Sequence, residues 1–131
     1  MKTFVIALII LTVLLFTIAL NSYYISKTTD AMIAVAASLP QTGAVPLSDP
    51  DAAAGCREKL LTLRELWDKA LPLISLTSSY DNIASVALPL AAAEEFLISG
   101  ESGAFCAAGK MISAGLERIA EVEALTFDNF F

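Results

Sequence analysis

Residues 4–20 read FVIALIILTVLLFTIAL, an apolar run interrupted only by Thr12 and Thr17 and matched nowhere else in the 131-residue chain. A helix needs about 20 apolar residues to cross the hydrocarbon layer of a bilayer. This run has 17, and Tyr23 and Tyr24 come soon after it as an aromatic pair of the kind found at membrane boundaries. From Phe4 to Leu20 the lipid bilayer is therefore the first partner the sequence implies. Lys2 precedes the run, and Lys27 with Asp30 lies beyond it. This charge pattern favours a single pass through the cell membrane with the N-terminus cytoplasmic and the rest of the chain outside.

A cleaved signal peptide is the alternative. Its apolar core is usually about 7 to 15 residues long and ends in small residues, and Thr17 and Ala19 offer such a site. The length of the run, the tyrosine pair and the helical character of residues 21–38 favour an uncleaved anchor. We therefore expect an anchor over 1–22 and a juxtamembrane helix over 23–38. A linker loop over 39–50 and a helical bundle over 51–131 complete the division.

All 14 acidic residues lie beyond position 20, against 7 of the 8 basic ones, so the part outside the run carries a net charge of −7. Such a surface repels nucleic acid and anionic headgroups alike. Histidine is absent. With it go the commonest general base, the commonest zinc ligand and every Ser-His or Cys-His nucleophile pair. The expectation is a protein that is not an enzyme and has no cofactor or metal.

Beyond the run, residues 21–38 hold no Gly or Pro, and Ile25, Met32 and Leu39, with Ala36 between, recur at nearly seven-residue spacing. One helix over about 3–38 is predicted. Residues 39–50, LPQTGAVPLSDP, form a loop. Ser48 or Asp49 then caps a second helix over about 50–77, with Pro50 in its first turn. Its stripe is Cys56, Leu60, Leu63, Trp67, Ala70 and Ile74, alternating steps of four and three as in a bundle seam. Pro72 should kink that helix or end it early.

A third helix starts at Ser79, carries the stripe Ile83, Val86, Leu90, Ala93 and Leu97, bends at Pro89 and ends at Ser99-Gly100. A fourth starts near Ser102 with the stripe Phe105, Gly109, Ile112, Leu116 and Ile119. The phenylalanine-rich tail from Leu125 to Phe131 is too apolar to hang in water and should dock on the bundle. The fold class is all-α: an N-terminal transmembrane helix continuing into an antiparallel three- to four-helix bundle.

Four features invite a functional assignment. Leu39-Pro40-Gln41-Thr42-Gly43 spells the LPxTG sorting signal. It comes after the apolar span instead of preceding one near the C-terminus, so it reads as an ordinary loop. Cys56 and Cys106 are the only cysteines and fall at the same end of the bundle, either bridged in an oxidising compartment or buried as thiols. Trp67 sits on the seam as a core anchor. Glu94, Glu95, Glu101, Glu117, Glu121 and Glu123 are read as a solvated helix face, since Glu94 and Glu95 point apart and no ExxH pattern accompanies them.

The short basic head with its apolar helix, the Ser22-Tyr23-Tyr24-Ile25 segment, the Leu66-Trp67 pair and the closing Leu125-Thr126-Phe127-Asp128-Asn129-Phe130 occur in an order that resembles the domain-of-unknown-function 4363 family. These are small membrane-anchored helical proteins of clostridia and related Gram-positive bacteria. Pro72, Pro89, both cysteines and Ser79-Tyr80-Asp81-Asn82 depart from the family pattern. The resemblance implies no catalytic residue and an accessory role beside other membrane proteins. Two functions are expected in turn. One is an extracytoplasmic interaction module for another envelope or membrane protein, itself able to self-associate. The other is a small-ligand or lipid-binding bundle using a cavity at Ala91–Ala93, Ala107, Ala108 and Gly109.

Overall fold

The computed structural model describes residues 1–40, 47 and 49–130, and of Thr126, Phe127 and Phe130 the backbone alone. The described residues form four helices and no strand: α1 (Lys2–Ala37), α2 (Pro50–Thr77), α3 (Tyr80–Ser99) and α4 (Ser102–Phe130). The chain is all-α, as the spacing predicts.

With neither Gly nor Pro to interrupt it, α1 runs for 36 residues, about 54 Å. Its first part stands clear of the other helices, and every residue from 3 to 14 is exposed. By length and composition it is able to cross a membrane. The two threonines in the run hide their polarity locally. The Thr12 hydroxyl donates to the Leu8 carbonyl and that of Thr17 to the Val13 carbonyl, each at 2.8 Å. From Ser22 onward the same helix becomes a wall of the core through Ser22, Ile25, Thr29, Met32 and Ala36. Thr29 is tolerated there because its hydroxyl donates to the Ile25 carbonyl at 2.7 Å.

The start of α2 is set by Asp49, whose carboxylate accepts from the Asp51 N–H at 3.2 Å, with Pro50 in the first turn. All six residues of its predicted stripe are buried, Trp67 among them. Pro72 neither ends α2 early nor prevents its continuing to Thr77. The proline is exposed, so the Asp68 carbonyl it cannot serve faces the solvent side of the helix. Ser79 caps α3 by accepting from the Asn82 N–H at 3.3 Å, and Gly100 closes it in the left-handed conformation, with φ 75°. By length and apolar content α3 also passes as a membrane span, yet it gives Val86, Leu90 and Ala93 to the core.

The α3 helix is continuous through the buried Pro89. A proline there cannot donate to the Ser85 carbonyl. α4 packs directly against that carbonyl: a Cβ on Gly115 would lie 2.7 Å from the Ser85 oxygen and 2.8 Å from Val86 Cγ2. The carbonyl that Pro89 cannot serve thus lies against the place where Gly115 has no side chain.

α1 packs on α2 and α4, and α3 packs on α4 and α2. The four surround one core that includes Ile25, Met32, Leu63, Trp67, Leu90, Phe105, Ile112 and Leu116. At one end of this core Lys59 Nζ donates to the Ser38 carbonyl at 2.8 Å and the Leu47 N–H donates to Ser102 Oγ at 3.0 Å. We refer to this as the Leu39 end. At the other, the Ser22 end, Thr77 of α2 meets Glu123 of α4. The C-terminal stretch is not separate from the fourth helix. α4 continues through it to Phe130, and Leu125 is exposed. The side chains of Phe127 and Phe130, and all of Phe131, lie outside the described residues.

A candidate polar site at the Ser22 end

Three of the core seams, followed to the Ser22 end, stop being apolar at the same level. On α1 the step back from Ile25 is Ser22. On α2 the step beyond Ile74 is Thr77, with Ser78 next to it. On α4 the step beyond Ile119 is Glu123. A helical stripe keeps its direction whatever residue occupies it, so Ser22 and Glu123 are turned inward by the packing of the apolar residues before them, while Thr77, itself exposed, reaches Glu123 from the rim.

Glu123 is 1% exposed, the only fully buried acidic side chain among the described residues. The Thr77 hydroxyl donates to its Oε1. Among the described residues its Oε2 has no hydrogen-bond partner, and neither has the buried Ser78 hydroxyl. A buried carboxyl oxygen with nothing to bond is costly and rare in a folded protein. Two clefts adjoin it. One of about 290 Å³ is lined by Ser22, Tyr23, Ser26, Glu123, Ala124 and Asp128. Another of about 220 Å³ is lined by Thr17, Ile18, Asn21, Ser22, Leu76, Thr77 and Glu123. Ser22 and Glu123 belong to both. No lysine or arginine lines either cleft among the described residues. Lys27, one turn beyond Tyr23, holds its Nζ 5.5 Å from the centre of the Tyr23 ring.

Glu123 therefore departs from the solvated face predicted for the glutamates. The others are exposed or, in the case of Glu94, half-buried. Glu94 accepts from Arg64 Nε at 2.8 Å and pairs with Nη2 at 2.8 Å. Glu95 points away into solvent, as adjacent helical positions must.

Cys56 and Cys106 fall together at the Leu39 end, both buried and with no S–S bond between them. Burial pushes the Cys56 thiol above its ordinary 9.0, with Lys59 opposing and Cys106 adding to the rise. Of the LPxTG letters, Leu39 is buried and Pro40 half-buried, while Gln41, Thr42 and Gly43 lie outside the described residues. The small residues of α3 and α4 partly line a surface groove of about 340 Å³, with Leu88, Pro89, Phe96 and Met111 contributing its larger walls beside Ala92, Ala104, Ala107 and Ala108. Leu88 is 69% exposed and Met111 60%.

No family model, curated protein or solved structure matches this chain.

Proposed function

We propose that the chain is a membrane-anchored interaction module: a transmembrane α1 that continues into an antiparallel bundle, held on the extracytoplasmic side and docking onto another envelope or membrane protein. The resemblance to the domain-of-unknown-function 4363 family is part of this proposal, as is the non-catalytic role. The observation that carries it is the groove between α3 and α4. Leu88 and Met111 are exposed on its rim although the core beneath them is filled, and exposed apolar patches of this kind mark interaction sites. Both residues, with Pro89, also line the next cleft along the same face, so the apolar strip extends past one groove.

The test is photo-crosslinking in native membranes from a reactive residue placed at Leu88 or Met111, with Glu65 on the far face as reference. The expected result is the same discrete adduct from Leu88 and Met111 and none from Glu65. Equal adducts from all three positions, or none from any, would refute the docking face.

The lipid- or small-ligand-binding alternative has its own support, in the buried and incompletely bonded Glu123 rather than in the alanine-rich stretches.

A further inference from the structure

We propose that the cleft at Glu123 binds the primary ammonium of an aminolipid headgroup. The inference rests on α1 lying in the bilayer and is independent of the α3–α4 groove.

The reasoning starts from what the site lacks. Glu123 is held inward by the α4 seam, one of its oxygens is satisfied by Thr77, and the other is left over. An inward carboxylate is matched by a cation that also donates hydrogen bonds. The residues around it supply acceptors: the hydroxyls of Ser22 and Ser26 and the Asp128 carboxylate. Among the described residues lining the two clefts there is no cation, Lys27 holding its Nζ over the Tyr23 ring instead. A hard metal ion is a poor match, because the described residues contain no group of three or more acidic, Cys or His side chains placed to hold one. A primary ammonium brings one positive charge and three N–H donors, which suits a buried carboxylate oxygen in a cleft whose lining also carries two serine hydroxyls. A quaternary ammonium brings the charge without donors and leaves the oxygen unbonded.

Position then selects the source of the ammonium. The second cleft is walled by Thr17 and Ile18, the last turn of the apolar run, and by Asn21 just past it. A site at the end of a membrane span opens at headgroup level. The lining suits that depth: Tyr23 and Leu76, one in each cleft, are both strongly exposed, as residues of a membrane interface are. The acidic surface repels anionic headgroups. A zwitterionic headgroup that presents its ammonium inward and its phosphate toward the bilayer plane does not meet that barrier.

The test uses the full-length protein released from membranes containing phosphatidylethanolamine and phosphatidylcholine in equal amounts, with retained lipid read by native mass spectrometry. Wild type is expected to retain the ethanolamine lipid over the choline lipid by about tenfold, the size of one charge-assisted hydrogen-bonded contact. Glu123→Gln keeps the volume and the bond from Thr77 and should abolish the preference, while Glu121→Gln, two residues away and exposed, should keep it. Equal retention by wild type overturns the proposal, and so does a preference that survives Glu123→Gln. Should Glu123→Gln fail to fold by circular dichroism, the wild-type ratio still decides whether an aminolipid is bound, and Asp128→Asn locates it by weakening the preference. An undiminished preference in Asp128→Asn then overturns the assignment to this cleft. Free ethanolamine binding in detergent as tightly as the lipid would assign the ammonium to a soluble amine and overturn the lipid source.

Discussion

The two ends of the core are built from the same helices and differ in how their seams finish. At the Leu39 end the stripes close on Leu39, Cys56 and Phe105, all buried, and the polar groups nearby are bonded across the gap by Lys59 and Ser102. At the Ser22 end the stripes finish on Ser22, Thr77 and Glu123, and two buried polar atoms there find no partner among the described residues. An end that only had to be stable would resemble the first. The difference separates the part of the bundle that holds the fold from the part that is kept incompletely satisfied, which is where sites are commonly found.

Replacing Phe105 with Ala tests the first half of that contrast and should have the largest effect. A fully buried aromatic costs about 3–5 kcal/mol when truncated, measured by chemical denaturation in detergent. A loss under about 1 kcal/mol would mean the Leu39 end is not a packed core. Glu123→Met tests the second half. Removing an inward, half-bonded carboxyl should leave stability unchanged or raise it by up to about 2 kcal/mol. A loss larger than that would make Glu123 a structural residue like Phe105, and the two ends would no longer differ.

The smallest effect concerns the thiols. Burial should slow maleimide labelling of Cys56 and Cys106 in the folded chain by about two orders of magnitude relative to the denatured one. The thiolate is the reactive form, and the folded Cys56 holds its proton above the ordinary 9.0. The unfolded chain therefore ionises first as pH rises. The stability linked to this thiol is complete below about pH 9 and is lost as pH climbs through the folded value. Rapid labelling of the folded chain at neutral pH would contradict a closed Leu39 end.

Much of this architecture is legible in the sequence because apolar periodicity is a strong signal. The stripes from Cys56 to Ile74 and from Phe105 to Ile119 are buried at every predicted position, and Asp49, Ser79 and Gly100 set helix ends by ordinary capping chemistry. The candidate site is not read the same way, because a glutamate is taken as solvated by its residue type. Its position carries the missed signal: steps of 4, 3, 4, 3 from Phe105 reach Ile119, and the next step of 4 falls on Glu123. Thr29 is missed on α1 for the same reason, since its hydroxyl is satisfied within the helix and leaves no trace in composition. The effect of Pro72 is overestimated because a sequence does not show that its ring lies on the outer face, where a lost hydrogen bond matters least.

The uninterrupted α1 has a mechanical consequence. A linker between a span and a domain usually absorbs motion, and here there is none: from Lys2 to Ala37 the chain is one rod. In the proposed anchored arrangement, a change in tilt imposed at the bilayer is therefore carried along α1 to the Leu39 end of the core. In that arrangement, membrane thickness and the orientation of the bundle are coupled through a single lever.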